Sequence, residues 1–217
     1  MGLKRIDHKD LGHLTYHQVK ELIVRKALRP GDHIRQDEMA QQLGVSRTPL
    51  LKALNLLERD LLVEFIPRRG YFVKQYTYAE MREVFQVREV LEGLAARLAA
   101  AHITPDEIAY LRALFAPFEA AESIDAEAYE SADQAFHRQI AAIGANAVLA
   151  KLEVMRNVQV LAYQMGLHLD PQQTLAHHDA IIDALEDHNG AEAERLMRAH
   201  IHAGTQIIEQ HIAEGQA

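Results

Sequence analysis

The run Gln36 to Leu62, QDEMAQQLGVSRTPLLKALNLLERDLL, leaves this chain little freedom in what it can build. It predicts a short helix, a tight turn at Gly44-Val45 and a second helix opening at Ser46, a residue type suited to an N-cap. Pro49 falls in the first turn of that second helix, where its missing N–H would have no intrahelical acceptor anyway. From there Leu50, Ala53, Leu54, Leu57 and Leu61 recur at helical spacing. They put one apolar stripe on the back of the helix and leave Arg47, Thr48, Leu51, Lys52 and Asn55 on its front.

A short helix, a glycine turn and a second helix with a polar N-terminal end is how a helix-turn-helix offers a recognition helix to the major groove. An ordinary helical hairpin has the same periodicity. The residues that follow favour the first reading. Leu62-Val63-Glu64-Phe65-Ile66 and Tyr71-Phe72-Val73 are β-prone runs joined by Pro67-Arg68-Arg69-Gly70, which predicts a hairpin with a basic tip and hence a winged helix-turn-helix.

Charge divides the chain in the same way. The 217 residues carry a formal net charge of −8, yet residues 1–75 hold 14 Lys and Arg against 9 Asp and Glu, and residues 76–217 hold 9 against 22. A basic head on an acidic remainder fits one domain that meets phosphates and one that does not. The expected domains are therefore 1–75, DNA-binding, and 76–217, helical. There is no cysteine, which excludes disulfides, thiolate metal sites and cysteine nucleophiles. Any metal must be held by histidine and carboxylate. No segment approaches the roughly 20 apolar residues that span a bilayer, and the N-terminus lacks a signal-peptide core, so no membrane span and a cytoplasmic location are expected.

Before the central run, Leu14, Val19, Leu22, Ile23 and Leu28 predict a helix stopped by Arg29-Pro30-Gly31-Asp32. Arg25 and Lys26 read as solvated charges, and Arg35, just ahead of the next helix, as a phosphate contact. Beyond a connector at residues 74–78 the chain reads as helix, with breaks near Pro105, Pro117, Gly144, Gly166 and Asn189. These leave six helices of roughly 15 to 25 residues, with Thr104, Asn146 and Asp170 as caps. The prediction is a mainly α chain whose second domain is an all-α six-helix bundle.

Gly31-Asp32-His33-Ile34, Met39-Ala40, Leu43-Gly44-Val45-Ser46-Arg47-Thr48-Pro49-Leu50, Ala53-Leu54, Leu57-Glu58 and Pro67-Arg68-Arg69-Gly70 together resemble the GntR family of bacterial transcription regulators, over residues 13 to 74. Further on, Val87-Arg88-Glu89-Val90-Leu91-Glu92, Asp133-Gln134-Ala135-Phe136-His137, His178-Asp179-Ala180-Ile181 and Arg198-Ala199-His200-Ile201 resemble the FCD ligand-sensing domain of the FadR subfamily, in its shorter, six-helix VanR-like form. The resemblance implies a homodimer that binds double-stranded operator DNA as a repressor and is relieved by a small carboxylic acid effector. DNA contacts are expected from Arg35, Ser46, Arg47, Thr48, Lys52, Arg68, Arg69 and Gly70. Two residues depart from the pattern. The family usually has arginine and then glutamate after the recognition-helix proline and valine, whereas this chain has Leu51 and Lys52, so contact rules from relatives need not transfer. Leu51 suits a thymine methyl.

Several polar residues fall on apolar faces. Asp133 and His137 lie four apart beside Tyr129, Phe136, Ile140 and Ile143. His178 shares a row with Leu175, Ile182 and Leu185, and His200 with Leu196, Met197, Ile201, Gly204 and Ile207. His178 and His200 are each 11 residues from the turn at Asn189, so an antiparallel hairpin sets them at one level. A carboxylate in an apolar stripe must be compensated, and three imidazoles converging on it form a donor set for a divalent metal. Each histidine alone would read as a hydrogen-bonded core residue. The residues leave both readings open; the FCD resemblance implies the metal, with zinc, nickel and manganese all compatible and two octahedral positions left for water or a carboxylate. His177, His188, His202 and His211 read as bystanders.

Arg88 lies in the row Val84, Arg88, Leu91, Ala95, Leu98. It is either an i,i+4 partner of Glu92 on a partly exposed face or, as the resemblance implies, a guanidinium that takes the effector carboxylate. Two rival functions stand beside the effector-sensing regulator: a metalloregulator whose signal is the metal itself, and a metal-dependent enzyme with a fused DNA-binding head. The enzyme is disfavoured because no spare histidine or carboxylate is placed as a general base.

Overall fold

A computed structural model describes residues 11–121, 123–149, 154–167 and 169–215. Among them are nine helices and three strands: α1 (Leu11–Val24), β1 (His33–Ile34), α2 (Gln36–Leu43), α3 (Arg47–Arg59), β2 (Val63–Ile66), β3 (Gly70–Val73), α4 (Tyr78–Ala100), α5 (Pro105–Glu119), α6 (Ala126–Ile143), α7 (Val154–Gln164), α8 (Pro171–Glu186) and α9 (Gly190–Ala213). The chain is mainly α, as expected, and none of the described helices is long and apolar enough to cross a membrane. The chain folds as two compact units, the first running to Tyr76 and including Arg156–Met165, the second comprising Thr77–Met155 and Gly166–Ala217.

In the first unit α1 packs on α3. The buried back of α3 is Leu50, Ala53, Leu54 and Leu57, and that of α1 is Thr15, Val19 and Ile23. Gly44 closes α2 at φ 65, where the N–H of Val45 reaches Ala40 O at 3.0 Å. A left-handed turn of this kind is open to glycine at little cost and sends the chain directly into α3. Strand β3 lies between β1 and β2, antiparallel to both, with Ile66 opposite Gly70 and Ile34 opposite Tyr71. The hairpin is the wing.

Four local expectations change. Helix α3 ends at Arg59, so Leu61 lies beyond it at φ 61 instead of continuing the stripe. Leu14 is 53% exposed because the buried face of α1 runs one position later, through Thr15. Ser46 occupies the N-cap of α3 but makes no side-chain capping hydrogen bond. Strand β1 was not anticipated, since two residues carry no periodicity to read.

Helix α7 belongs by sequence to the expected second domain, yet it packs with the first unit. Asn157 Oδ1 accepts from Lys20 Nζ at 2.7 Å, and Gln164 Nε2 donates at 2.6 Å to Ile23 O, a carbonyl near the C-terminal end of α1 that also accepts from the Lys26 N–H. Val158, Val160, Leu161 and Ala162 are all buried.

In the second unit the helix starts are written into the sequence. Thr77 with Glu80 and Thr104 with Glu107 form capping boxes on α4 and α5, and Asp125, Asp170 and Asn189 cap α6, α8 and α9. Asn146 Oδ1 accepts from the N–H groups of Val148 and Leu149 at 3.0 Å. Pro117 does not stop α5, which continues to Glu119. Helices α4 and α9 pack against each other intimately. A β-carbon at Gly93 would lie 2.5 Å from Arg198 Cγ, and one at Gly204 would lie 2.7 Å from Phe85 Cε1, so two glycines set how closely these helices approach.

Candidate functional site

Asp133 and His137 stand one turn apart on α6, and α8 and α9 bring His178 and His200 to them. His178 Nε2 is 3.1 Å from Asp133 Oδ1; His137 Nε2 is 3.6 Å from the same oxygen and 3.3 Å from His200 Nε2. One donor atom from each residue lies within 4.8 Å of all the others, and all four residues are buried. The hairpin argument holds for the two later histidines, whose ring centroids are 4.7 Å apart.

These residues fit a metal ion. Donors that share an ion at about 2.1 Å are roughly 3–4 Å apart, and these three separations fall in that interval. His178 Nε2 is buried with Asp133 Oδ1 close by but makes no well-aligned hydrogen bond to it, an expensive state for a polar atom. Burial lowers the affinity of His178 and His200 for a proton, so both present neutral imidazoles, the form that ligates metals. Burial alone would raise Asp133, but the neighbouring His137 and His178 outweigh it and hold the carboxyl well below its usual range. His137 is the exception: burial pulls it down, while Glu92 and Asp133 together push it up to about 9.

A second layer surrounds the cluster. Tyr129 Oη lies 3.2 Å from His178 Nδ1 and 2.5 Å from Thr174 Oγ1, and Thr174 Oγ1 donates to Pro171 O at 3.1 Å. Read from the backbone outward, this chain leaves Tyr129 Oη to accept the Nδ1 proton and frees His178 Nε2 for the cluster. Phe115 stacks on the His178 ring at 4.2 Å.

On α4, Arg88 Nε donates to Glu92 Oε1 at 2.8 Å, and Glu92 Oε2 lies 2.6 Å from His137 Nδ1. The expected ion pair exists, but the partly exposed face does not: Arg88 is 2% and Glu92 7% exposed. The buried row of α4 runs through Met81, Phe85, Arg88, Glu92, Ala95, Ala96 and Ala99 rather than Val84, Leu91 and Leu98. Sequence reasoning therefore missed Glu92 as a neighbour of the cluster, and missed Thr174 entirely. A signal was present in the small and aromatic residues that share the Glu92 row.

Of the bystander histidines, His202 is exposed and pairs with Glu89 at 3.3 Å, and His211 stacks on Tyr78 with ring centroids 5.1 Å apart. His188 Nδ1 lies 2.8 Å from Ala100 O. His177 is less peripheral than expected, with its ring 5.7 Å from that of His200 and its Nδ1 buried without a partner.

The expected DNA contacts all belong to the first unit. Arg35, Ser46, Arg47, Thr48, Lys52, Arg68 and Arg69 are exposed, and Gly70 is half-buried. Arg47 pairs with Asp37 at 2.5 Å and Arg35 with Glu38 at 3.1 Å; exposed pairs contribute only about 0–1 kcal/mol, so either arginine can exchange its partner for DNA at little cost. Asn55 is exposed on the front of α3, as expected, and is also tied to the wing, accepting from Tyr71 Oη at 2.6 Å. At the wing tip Arg68 adopts φ 66, and the Arg69 guanidinium lies over the Phe72 ring at 4.9 Å.

A winged helix-turn-helix followed by a helical bundle defines a DNA-binding transcription regulator, and the bundle's buried His/Asp cluster marks where it could hold a metal. Residues 13–73 match the family model for bacterial regulatory proteins of the gntR family, and residues 83–203 match that for the FCD domain. The chain belongs to the GntR family, with a FadR-like FCD architecture. It is 30% identical to the Nta operon transcriptional regulator of Aminobacter aminovorans, over 80% of this chain and 82% of that one. It is 27% identical to the transcriptional repressor RspR of Escherichia coli K12, over 90% and 87%. Among solved structures, that of E. coli McbR/YncC superposes with a TM-score of 0.76, covering 93% of this chain and 98% of that one at 22% identity. These relatives are regulators, and the chain is a transcription regulator rather than an enzyme.

Proposed function

We propose that the protein is an operator-binding repressor released by a small carboxylic acid, which binds beside a divalent metal held by Asp133, His137, His178 and His200. The observation that carries this reading is the buried Arg88, joined through Glu92 to the His/Asp cluster. Four protein donors would leave a divalent ion open positions for a carboxylate, and a guanidinium is the side chain whose planar fork suits that group. Three nitrogens and one oxygen suit zinc, nickel or manganese alike. The name of RspR supports repression.

On the DNA side, Arg47 and Lys52 with Ser46 and Thr48 would read the major groove, while Arg35, Arg68, Arg69 and the Gly70 backbone hold phosphates. Leu51, 37% exposed, would face a thymine methyl. Arg47→Ala is expected to weaken binding to a selected operator by about 1–3 kcal/mol and relax its sequence preference, whereas removing Arg68 or Arg69 should weaken all sequences alike and flatten the salt dependence. Equal, salt-independent affinity for wild type and Arg47→Ala would refute this assignment.

The homodimer is supported by an exposed apolar stripe on α4, where Val87, Val90 and Leu94 are 46%, 54% and 38% exposed. A two-fold axis at Val90 would set Glu83 level with Arg97 and bring Val87 and Leu94 of the two copies together in one apolar seam, so one helix complements its own copy in shape and charge. Val90→Glu should yield monomers in sedimentation, and a dimer that survives it would place the interface elsewhere.

A further inference from the structure

Glu92 is buried and shared. Its Oε1 accepts from Arg88 Nε at 2.8 Å, and its Oε2 stands 2.6 Å from His137 Nδ1. A buried arginine–glutamate pair adds little stability by itself, because two desolvated charges regain through attraction only about what they lost. The pair makes physical sense if the carboxylate also acts on a third group. That group is the imidazole whose opposite nitrogen, Nε2, faces Asp133 and His200 at 3.6 and 3.3 Å.

We infer that Glu92 is the positioning residue of the proposed metal centre: it takes the Nδ1 proton of His137, fixes the tautomer that presents Nε2 to the ion, and makes that nitrogen a stronger donor. Arg88 holds the other carboxylate oxygen and so fixes the direction from which Glu92 acts. Arg88 is itself held, with its guanidinium over the Phe85 ring at 4.7 Å, and that ring packs so close to Gly204 that a β-carbon there would come within 2.7 Å of Phe85 Cε1. The line Gly204, Phe85, Arg88, Glu92, His137 thus links α9 and α4 to a ligand on α6. His178 has a neutral counterpart in Tyr129, at 3.2 Å from its Nδ1, which makes it an internal control. Because an effector carboxylate that takes Arg88 also touches the partner of Glu92, metal and effector affinities become linked through this one side chain.

The inference rests on the metal reading, and the two can fail separately. Cobalt(II) binding to full-length protein is measured by competition with a chromophoric chelator, and proton NMR of the cobalt-loaded protein follows the hyperfine-shifted, exchangeable N–H signals of the ligand histidines. Glu92→Gln keeps the shape but cannot accept from Arg88 and His137 together. It should weaken cobalt about 10- to 100-fold, the usual consequence of losing such an outer partner. It should also move the His137 N–H signal and speed its exchange while the His178 signal stays in place. Tyr129→Phe should do the reverse. If wild type binds no cobalt, both readings fall. If wild type binds it and Glu92→Gln binds it within twofold with unmoved signals, only the role of Glu92 falls. Should Glu92→Gln not fold, Glu92→Asp carries the same test: weaker cobalt with an unchanged metal-free melt supports the role, and unchanged cobalt affinity overturns it.

Discussion

Stripping the protein with a chelator is expected to lower its melting temperature by on the order of 10 °C, because an ion at a thousand times its Kd contributes about 4.1 kcal/mol when it binds only the folded state, and each kcal/mol moves a unit of this size by about 2–4 °C. His178→Ala should reproduce the loss and abolish the response to added metal. The mutation removes a ligand from the middle of the cluster, together with a ring packed on Phe115 and Phe136 at 4.2 and 4.7 Å, so it should also melt below the chelated wild type. Restoring zinc or nickel should recover wild type and leave His178→Ala where it was. Protein purified without chelator that contains no metal, together with an unaltered melt for His178→Ala, would end the metal reading.

The second large effect concerns the response to effector. Allosteric coupling of about 1–3 kcal/mol gives a 5- to 150-fold change in operator affinity, and reciprocity requires DNA to weaken the effector by the same factor. Arg88→Ala is a poor probe, since it strands the buried Glu92 carboxylate, an error that costs about 3–5 kcal/mol on its own. Arg88→Lys keeps a charge beside Glu92 but loses the planar fork. It should retain metal and operator binding while the response falls to a few-fold or less, once a panel of small organic acids has revealed an effector by thermal shift. Release of DNA at the wild-type effector concentration would leave Arg88 only as the partner of Glu92.

Much of this was legible in the sequence, for identifiable reasons. The helix-turn-helix and wing are punctuated by Gly44, Pro49 and Gly70, whose backbone preferences act locally, and the α3 stripe from Leu50 to Leu57 is periodic enough to have one solution. The convergence of His178 and His200 followed from their equal distances to Asn189, which a hairpin converts into proximity. What was not legible depends on partners distant in sequence. Glu92 read as a surface charge because the buried row of α4 is set by its packing on α9, through Gly93 and Gly204. Asn55 read as free because its partner Tyr71 lies on the wing. The place of α7 against α1 rests on Lys20 and Gln164, 137 and 141 residues from their acceptors.

The function is tested most directly by the anisotropy of a labelled operator, selected beforehand from a random DNA pool and titrated with the effector acid in the presence of metal-loaded, chelator-treated and Arg88→Lys protein. The proposed mechanism predicts that the acid releases DNA from the loaded wild type, with a 5- to 150-fold rise in Kd, and has little effect on the other two. Release by chelator alone, with no response to any acid, would make the metal itself the signal, and equal release from all three proteins would contradict a sensing site built on the metal cluster and Arg88.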